Sequence, residues 1–135
     1  MNLGNFSTSL AVAGIAKSRA FNDSLGLAPI SGDQSHGWLI LKGSTAVIGL
    51  FQDMFPTNIL TFNPGWDSNA RPLDDFTDVQ ILQKSMKSTG MTPDIEADEA
   101  TTGPASLTLT DPDGNVIFVD HTTSVLSLTL PTCSL

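Results

Sequence analysis

Apolar and polar side chains alternate in short runs along the chain, and glycine, proline and small polar residues separate the runs. Residues 7–12 alternate small polar with apolar side chains, a period of two that predicts a strand with two different faces. Phe21 and Leu25 lie four residues apart and predict an apolar stripe on a helix, which Gly26 then ends. The elements predicted for this half are a strand over 7–12, a helix over about 16–25, an edge strand or loop over 29–34 and a hairpin over 38–51.

The same order of elements follows in the second half of the chain. Val79, Leu82 and Met86 share one face of a predicted helix, and Gly90 ends that helix as Gly26 ends the first. An Asp-Pro-Asp-Gly turn joins the two strands of the closing hairpin. The elements predicted here are a strand over 58–62, a polar crossover over 63–72, a helix over about 75–88 and a hairpin over 106–120.

This repeated order predicts a single α+β domain over 1–121, made of two similar modules. The first module occupies about 5–53 and the second about 57–121. A ferredoxin-like sandwich, which also has two helices but fewer strands, is the alternative fold. Residues 122–135 are a C-terminal tail with strand character that the repeat does not use, and its role stays open.

Length, composition and charge narrow the class of protein. A chain of 135 residues with 40% hydrophobic and 15% charged residues is expected to fold as one domain with its own core. Six basic against 14 acidic residues give a net charge of −8, so nucleic acid is not an expected partner. The one cysteine, Cys133, excludes a disulfide framework within one chain and favours a reducing, cytoplasmic location.

No association with membranes is expected. Residues 6–16 are mostly small and apolar, but the first basic residue, Lys17, follows them, which is the wrong side for a signal peptide. No run approaches the roughly 20 apolar residues that a membrane helix needs.

Three segments are similar to parts of the glyoxalase/bleomycin resistance protein/dioxygenase superfamily, also called the vicinal oxygen chelate superfamily. Residues 10–12, with 18–21 and 25–27, resemble its opening strand and helix, and 38–41 resemble the middle of its first module. Residues 110–117, which contain Asp-Pro-Asp-Gly-Asn, resemble its closing hairpin and are the most specific of the three. Such a turn is common by itself, but its place at the end of a doubled pattern makes it informative.

The resemblance spans residues 6–120 and implies two βαβββ modules whose sheets curl around a cavity, with the helices outside. Many members of the superfamily bind a divalent metal in that cavity through inward-pointing His, Gln or Glu, and the metal stabilises negative charge that develops on substrate oxygens. Drug-binding members use the same cleft without a metal. A homodimer is also expected.

The positions that would hold the metal carry unsuitable side chains in this chain. The ligand at the start of the first strand falls on Ser7, and the final carboxylate falls on Phe118. The ligand at the start of the fifth strand falls on Ile59, or on Asn58 with a slip of one residue. A helix-end tyrosine common in the superfamily is replaced by Asn22. Because these residues offer at most neutral oxygens, no metal or other cofactor is expected.

Other residues supply an alternative set of metal ligands. Asp120 and His121 are adjacent at the end of the last predicted strand, so they point to opposite faces and cannot both line one cavity. His121 and His36 are expected to be exposed and solvated, and the acidic run 96–99 is expected to be a solvated loop. A metal-dependent lyase, isomerase or dioxygenase that uses His36 or His121 as a non-standard ligand stays the alternative function.

The crossover over 63–71 is the most unusual segment. Trp66 offers an apolar plate for a ligand, and Arg71 can pair with a carboxylate or phosphate. The alternative is that Trp66 packs within the protein or at a subunit contact, and that Arg71 pairs with Asp74 or Asp75. Both interpretations stay open, as does that of residues 51–55, where Met and Phe suit either a pocket wall or burial under the sheet.

The sequence therefore predicts a protein that binds a small organic molecule in a cavity with weak or no metal binding. No nucleophile elbow and no glycine-rich phosphate loop occurs in the chain. A structural or regulatory dimer without any ligand is a third hypothesis. The residues predicted to bind the ligand are Ser7, Ser9, Trp38, Thr61, Trp66, Arg71, Phe118 and Asp120.

Overall fold

The structure, a computed structural model, describes residues 1–121. The tail predicted over 122–135, including Cys133, lies outside the described residues. The helices and strands in chain order are β1 (Asn5–Val12), α1 (Ile15–Asp23), β2 (Ala28–Asp33), a 3₁₀ turn (Gln34–His36), β3 (Trp38–Gly43), β4 (Ala46–Gln52), β5 (Ile59–Asn63), α2 (Val79–Ser88), β6 (Ser106–Thr110) and β7 (Val116–Asp120).

The strands of residues 1–121 form one curled, seven-stranded sheet in the order β2-β3-β4-β1-β5-β7-β6. β1 and β5 pair antiparallel at the centre, with Ser7 opposite Thr61. On either side of this seam the arrangement repeats, because β1 pairs in parallel with β4 and β5 pairs in parallel with β7. The predicted α+β fold with two repeated halves is confirmed.

Within residues 1–121, two separate apolar cores lie under the two helices. The core under α1 contains Leu41 and Leu50, which are fully buried, and β1 adds Leu10 to it. The core under α2 contains the predicted helix face, with Phe62 of β5 packed against it. Phe62 lies opposite Phe6, which points to the same side of β1 as Leu10, so both helices cover one face of the sheet. Among residues 1–121, no helix is long and apolar enough to cross a membrane.

The other side of the sheet, here called the open face, carries the alternate residues of each strand. It runs across all seven strands and is not covered by either helix. The strand residues on it include Asn5, Ser7, Ser9, Trp38, Ile40, Lys42, Gly49, Phe51, Ile59, Thr61, Thr108, Phe118 and Asp120.

The packed face of α1 differs from the predicted stripe. Phe21 and Leu25 are 68% and 65% exposed, whereas Ile15 and Asn22 are buried. The Asn22 side chain donates to the Ser18 carbonyl (2.8 Å), and the Asn22 carbonyl accepts from the Leu27 N–H (3.0 Å). This turn directs Leu27, rather than Leu25, into the core.

The second half lacks the separate second strand that the repeat predicts. Within the described residues, the segment after α2 pairs with β6 at a single bridge, between Ile95 and Thr108. Thr108 exchanges two backbone hydrogen bonds there, one from the Asp94 N–H (2.8 Å) and one to the Ile95 carbonyl (3.1 Å). The segment lies where an eighth strand would pair but makes only this short contact.

Side chains of α2 hold this segment in place of a strand ladder. Gln83, which is fully buried, accepts from the Ala97 N–H (2.7 Å) and donates to the Ala97 carbonyl (3.0 Å). The Lys87 ammonium pairs with Glu96 and Glu99 at 2.5 and 2.9 Å. Its hydrogen bond to Glu99 holds the pKa of that carboxyl below its ordinary value, with a further bond from Gln83. The acidic run 96–99 is therefore partly ion-paired rather than wholly solvated.

We expect Gln83→Ala to lower the free energy of unfolding by about 2 kcal/mol, because both backbone groups of Ala97 lose their partner. Ile81→Ala is the matched control, since Ile81 is on the same helix and 56% exposed, and it should change stability by no more than about 0.5 kcal/mol. Urea denaturation followed by circular dichroism measures both. Equal effects of the two substitutions would show that the Gln83 bonds do not hold the segment.

Candidate functional site

A row of side chains crosses the middle of the open face. Ser7 lies opposite Thr61, Thr61 lies beside Phe118, and Phe118 lies opposite Thr108. Strands β1, β5 and β7 thus bring together three residues that the sequence predicts for the site. Phe118 is 4% exposed and Ser7 is 8% exposed, so the row forms the floor of the curled sheet and not its rim.

Ser9 adds a second hydroxyl to this floor. Its Oγ lies 2.7 Å from Thr61 Oγ1 across the seam, and either hydroxyl can be the donor of that hydrogen bond. Each hydroxyl has one hydrogen and two lone pairs, so the pair keeps acceptor capacity for a polar group of a ligand. Neutral hydroxyls of this kind are weak ligands for a divalent metal.

One end of the open face is aromatic. The rings of Trp38 and Phe51 stack with centroids 6.4 Å apart and planes 11° apart, and Phe55 lies 5.2 Å from Phe51. Gly49 makes room for this stack, because a Cβ there would lie 2.5 Å from the Phe51 ring. Trp38 Nε1 is buried and has no hydrogen-bond partner among residues 1–121, which is uncommon for an indole N–H.

The crossover forms the other end of the open face. Trp66 and Pro72 form an isolated antiparallel β-bridge. The Asp67 carboxylate accepts hydrogen bonds from the backbone N–H groups of Asn69 and Arg71 at 2.8 and 3.1 Å. The Asn5 N–H donates to the Trp66 carbonyl (3.1 Å) and ties this loop to the start of β1. The loop therefore has a defined shape that its own hydrogen bonds maintain.

The crossover and the β2–β3 edge enclose an open cleft of about 440 Å³. A register shift between Pro29 and Ser31 of β2 places Ile30 at its wall. Arg71 makes no ion pair with Asp74, Asp75 or any other described residue, so the alternative pairing predicted from sequence does not occur in residues 1–121. The cleft is lined by Ile30, Ser31, Lys42, Trp66, Asn69, Ala70, Arg71 and Pro72.

Seven of the eight residues predicted for the site thus occupy three zones of one surface, and Asp120 lies outside these zones. Trp38 lies at the aromatic end, while Trp66 and Arg71 lie in the cleft at the other end. Asp120 is buried at the end of β7, opposite Ser106. The zone between the two ends holds Ser7, Ser9, Thr61 and Phe118. The periodicity of the sequence did not identify Lys42 or Ser31 as site residues. The other wall of their cleft is the crossover, which is distant from them in sequence.

The residues at the superfamily's metal positions do not fit a divalent metal. Ser7 offers a neutral hydroxyl, and Phe118 offers no donor atom. Ile59 is apolar and buried, and the side-chain Oδ1 of Asn58 already accepts from the Ala11 N–H (3.0 Å). Within residues 1–121 no group of three or more His, Cys, Asp or Glu side chains is arranged to hold a metal.

The prediction that His121 is exposed is wrong. His121 is 7% exposed, and its ring packs on Phe76 with centroids 5.2 Å apart. Nδ1 accepts from the Val79 N–H (3.2 Å), so Nε2 carries the hydrogen of the 2.5 Å bond to the Gly103 carbonyl. Asp78, the residue before α2, makes no side-chain capping bond, and His121 caps the helix in its place.

This contact also explains why α2 begins at Val79 and not near Asp75 as predicted. Phe76 packs against His121, which holds the chain before the helix in a non-helical path. His36, in contrast, is exposed as predicted, with Nδ1 2.9 Å from Asp33 Oδ2. Hydrogen bonds from the Ser35 hydroxyl and N–H hold the pKa of Asp33 below its ordinary value.

No protein-family model and no curated protein matches the sequence. Among solved structures, the chain is similar to one named NAD-dependent benzaldehyde dehydrogenase from Legionella pneumophila, with a TM-score of 0.61, 13% identity and coverage of 85% of this chain and 96% of that chain. It is also similar to a glyoxalase/bleomycin resistance protein/dioxygenase superfamily member from Vibrio splendidus 12B01, with a TM-score of 0.56, 14% identity and coverage of 84% and 94%.

The chain therefore has the glyoxalase/bleomycin resistance protein/dioxygenase fold that its sequence motifs indicate. Identities this low establish the fold, and an activity has to be argued from the residues of the open face.

We expect His121→Ala to lower the free energy of unfolding by about 1–3 kcal/mol, because a buried helix N–H and a carbonyl lose their partner. His36→Ala, at an exposed position, should change stability by no more than about 0.5 kcal/mol. Elemental analysis of protein purified without chelator is the companion measurement. If the unmodified protein contains stoichiometric metal and either substitution removes that metal, the conclusion that these histidines are not metal ligands is overturned.

Proposed function

We propose that the open face binds a small organic molecule by hydrogen bonds to hydroxyl groups and by contact with aromatic rings. One observation carries this proposal: Ser7, Ser9, Thr61 and Phe118 lie on neighbouring strands of the same sheet face as the Trp38–Phe51 stack, and the Ser9 and Thr61 hydroxyls are hydrogen-bonded there. Binding sites for small molecules are typically concave and apolar with a few placed polar groups, and this surface has that composition.

The chemistry of the floor favours recognition without a metal. Serine and threonine side chains each present one hydroxyl donor and two acceptor lone pairs to a ligand. The Trp38 indole N–H is a buried donor that a ligand acceptor would satisfy. Because the residues at the superfamily's metal positions do not fit a divalent ion, the metal-dependent alternative gains no support from the described residues.

A screen by thermal shift tests for the ligand, with thiol conjugates, hydrophobic drugs and aromatic acids as compounds. We expect at least one class to raise the melting temperature, since binding to the folded state stabilises it. Thr61→Val should then weaken binding by about fivefold in isothermal titration calorimetry, because it removes one hydroxyl at nearly constant volume.

The matched control is Thr45→Val, at an exposed position in the turn between β3 and β4, which should bind as the unmodified protein does. Silence of all three compound classes would overturn the proposal. A ligand that binds Thr61→Val with unchanged affinity would place its site elsewhere.

We also propose that the protein is a cytoplasmic homodimer. The single cysteine supports the reducing location. Exposed Phe21 borders a depression that also includes Leu10 and Leu50, so a second copy can seat its own Phe21 there and receive Phe21 in return. Such reciprocal contact is the usual geometry of a twofold dimer.

Sedimentation equilibrium measures the mass directly. We expect a dimer for the unmodified chain and a shift toward monomer for Phe21→Ser, because the substitution removes the large apolar group at the contact. Ala20→Ser, at the neighbouring exposed position of α1, is the control and should stay dimeric. A monomeric unmodified chain would refute this dimer.

A further inference from the structure

Positive charge gathers in the cleft although the protein as a whole is acidic. Two of the six basic residues of the chain, Lys42 and Arg71, line the cleft, and none of its lining residues within 1–121 is Asp or Glu. In a protein with a net charge of −8, a cleft lined by two cations is a local reversal of sign.

Neither cation is neutralised by a carboxylate among residues 1–121. Lys42 Nζ donates to the Ser44 carbonyl (2.6 Å), a neutral acceptor that orients the ammonium and leaves two of its hydrogens available. The Arg71 guanidinium makes no ion pair with a described residue, and Asp67, the one acid in the crossover over 63–71, already accepts from two backbone N–H groups. Lys87, in contrast, pairs with two glutamates.

The residues around the two cations are chemically suited to bind an anionic group that is attached to a planar ring. Trp66 supplies an aromatic surface within the same cleft, while Ser31 and Asn69 supply a hydroxyl and an amide. A guanidinium fork with a lysine beside it is the combination that proteins use for carboxylate and phosphate oxygens. The cleft volume of about 440 Å³ lies within the usual range for small-molecule sites.

We infer that this cleft receives the oxyanion group of a planar organic ligand, with Arg71 and Lys42 holding the oxyanion and Trp66 stacking on the ring. The inference rests on the proposed function and names the class of ligand: an aromatic or heteroaromatic carboxylate or phosphate ester. Its remaining part extends along the hydroxyl floor toward the aromatic end. The charged residues specify which molecules bind, and the floor accommodates their shape.

Calorimetric titration of the full chain with three matched probes tests the inference: 2-naphthoate, 2-naphthyl phosphate and the neutral 2-naphthamide. We expect at least one anion to bind about tenfold more tightly than the amide, and its affinity to fall as salt is raised. Arg71→Gln and Lys42→Gln should each remove most of that preference, while Arg71→Lys and Lys42→Arg should keep part of it. Lys84→Gln, on the exposed side of α2, should leave it unchanged. Melting temperatures of all variants show that each is folded.

The outcomes separate this inference from the proposed function. Equal affinity for the anions and the amide would overturn the inference and leave binding on the open face intact. The inference also fails if none of the three probes binds while another compound binds in a Thr61-dependent manner. Failure of every probe and every screened compound would overturn both. The order of affinity of the two anions assigns the natural group to the carboxylates or to the phosphate esters.

Discussion

The antiparallel seam between β1 and β5 is the contact on which the rest of the structure depends. Its register places Ser7 opposite Thr61 and Phe6 opposite Phe62. Because side chains alternate along a strand, this register sends the apolar set toward both helices and the hydroxyl set to the other face. A slip of one residue in β5 would turn Phe62 onto the open face and Thr61 into the core under α2. The seam therefore joins the two halves of the sheet and also determines which side chains lie on the open face.

Polar side chains support this sheet where regular backbone pairing is missing. Gln83 binds both backbone groups of Ala97 beside the short Ile95–Thr108 bridge, and His121 caps α2, for which Asp78 provides no side-chain bond. Both side chains are buried and fully engaged, so their bonds are worth more than exposed ones. His121, a candidate metal ligand in the sequence, instead forms hydrogen bonds with backbone groups in the structure.

In the function proposed for the open face, recognition is divided between two physical effects. The floor and the aromatic end provide shape and neutral hydrogen bonds, which are nearly indifferent to salt and pH. The cleft at the other end provides positive charge from Lys42 and Arg71, in a protein with a net charge of −8. The acidic surface disfavours anions elsewhere, so the cleft is where a charged group can select a ligand by electrostatics.

Features that depend on neighbours in the chain could be predicted from the sequence. The last two strands begin and end as their alternation predicts, and the turn between them is maintained by Asp111, which accepts from the N–H groups of Asp113 and Asn115 at 2.9 and 2.8 Å. The side-chain amide of Asn115 also donates to the Asp111 carboxylate. This bond, followed by the backbone bonds, holds the pKa of Asp111 below its ordinary value. All of these contacts lie within four residues, so residue type and order suffice to predict them.

Features that depend on contacts distant in sequence could not be predicted in this way. The ring of His121 contacts the first residue of α2, 42 positions earlier in the chain, and the crossover shares a cleft with Lys42 of β3, which lies 24 positions before Trp66. Arg71 beside Asp74 and Asp75 suggests an ion pair in the sequence, yet the folded loop places it in a cleft whose lining, among the residues that the structure describes, contains no Asp or Glu. Alternation of side chains decides which residues share a strand face, but only the packing of distant strands decides which of those faces meet and what each charged group finds beside it.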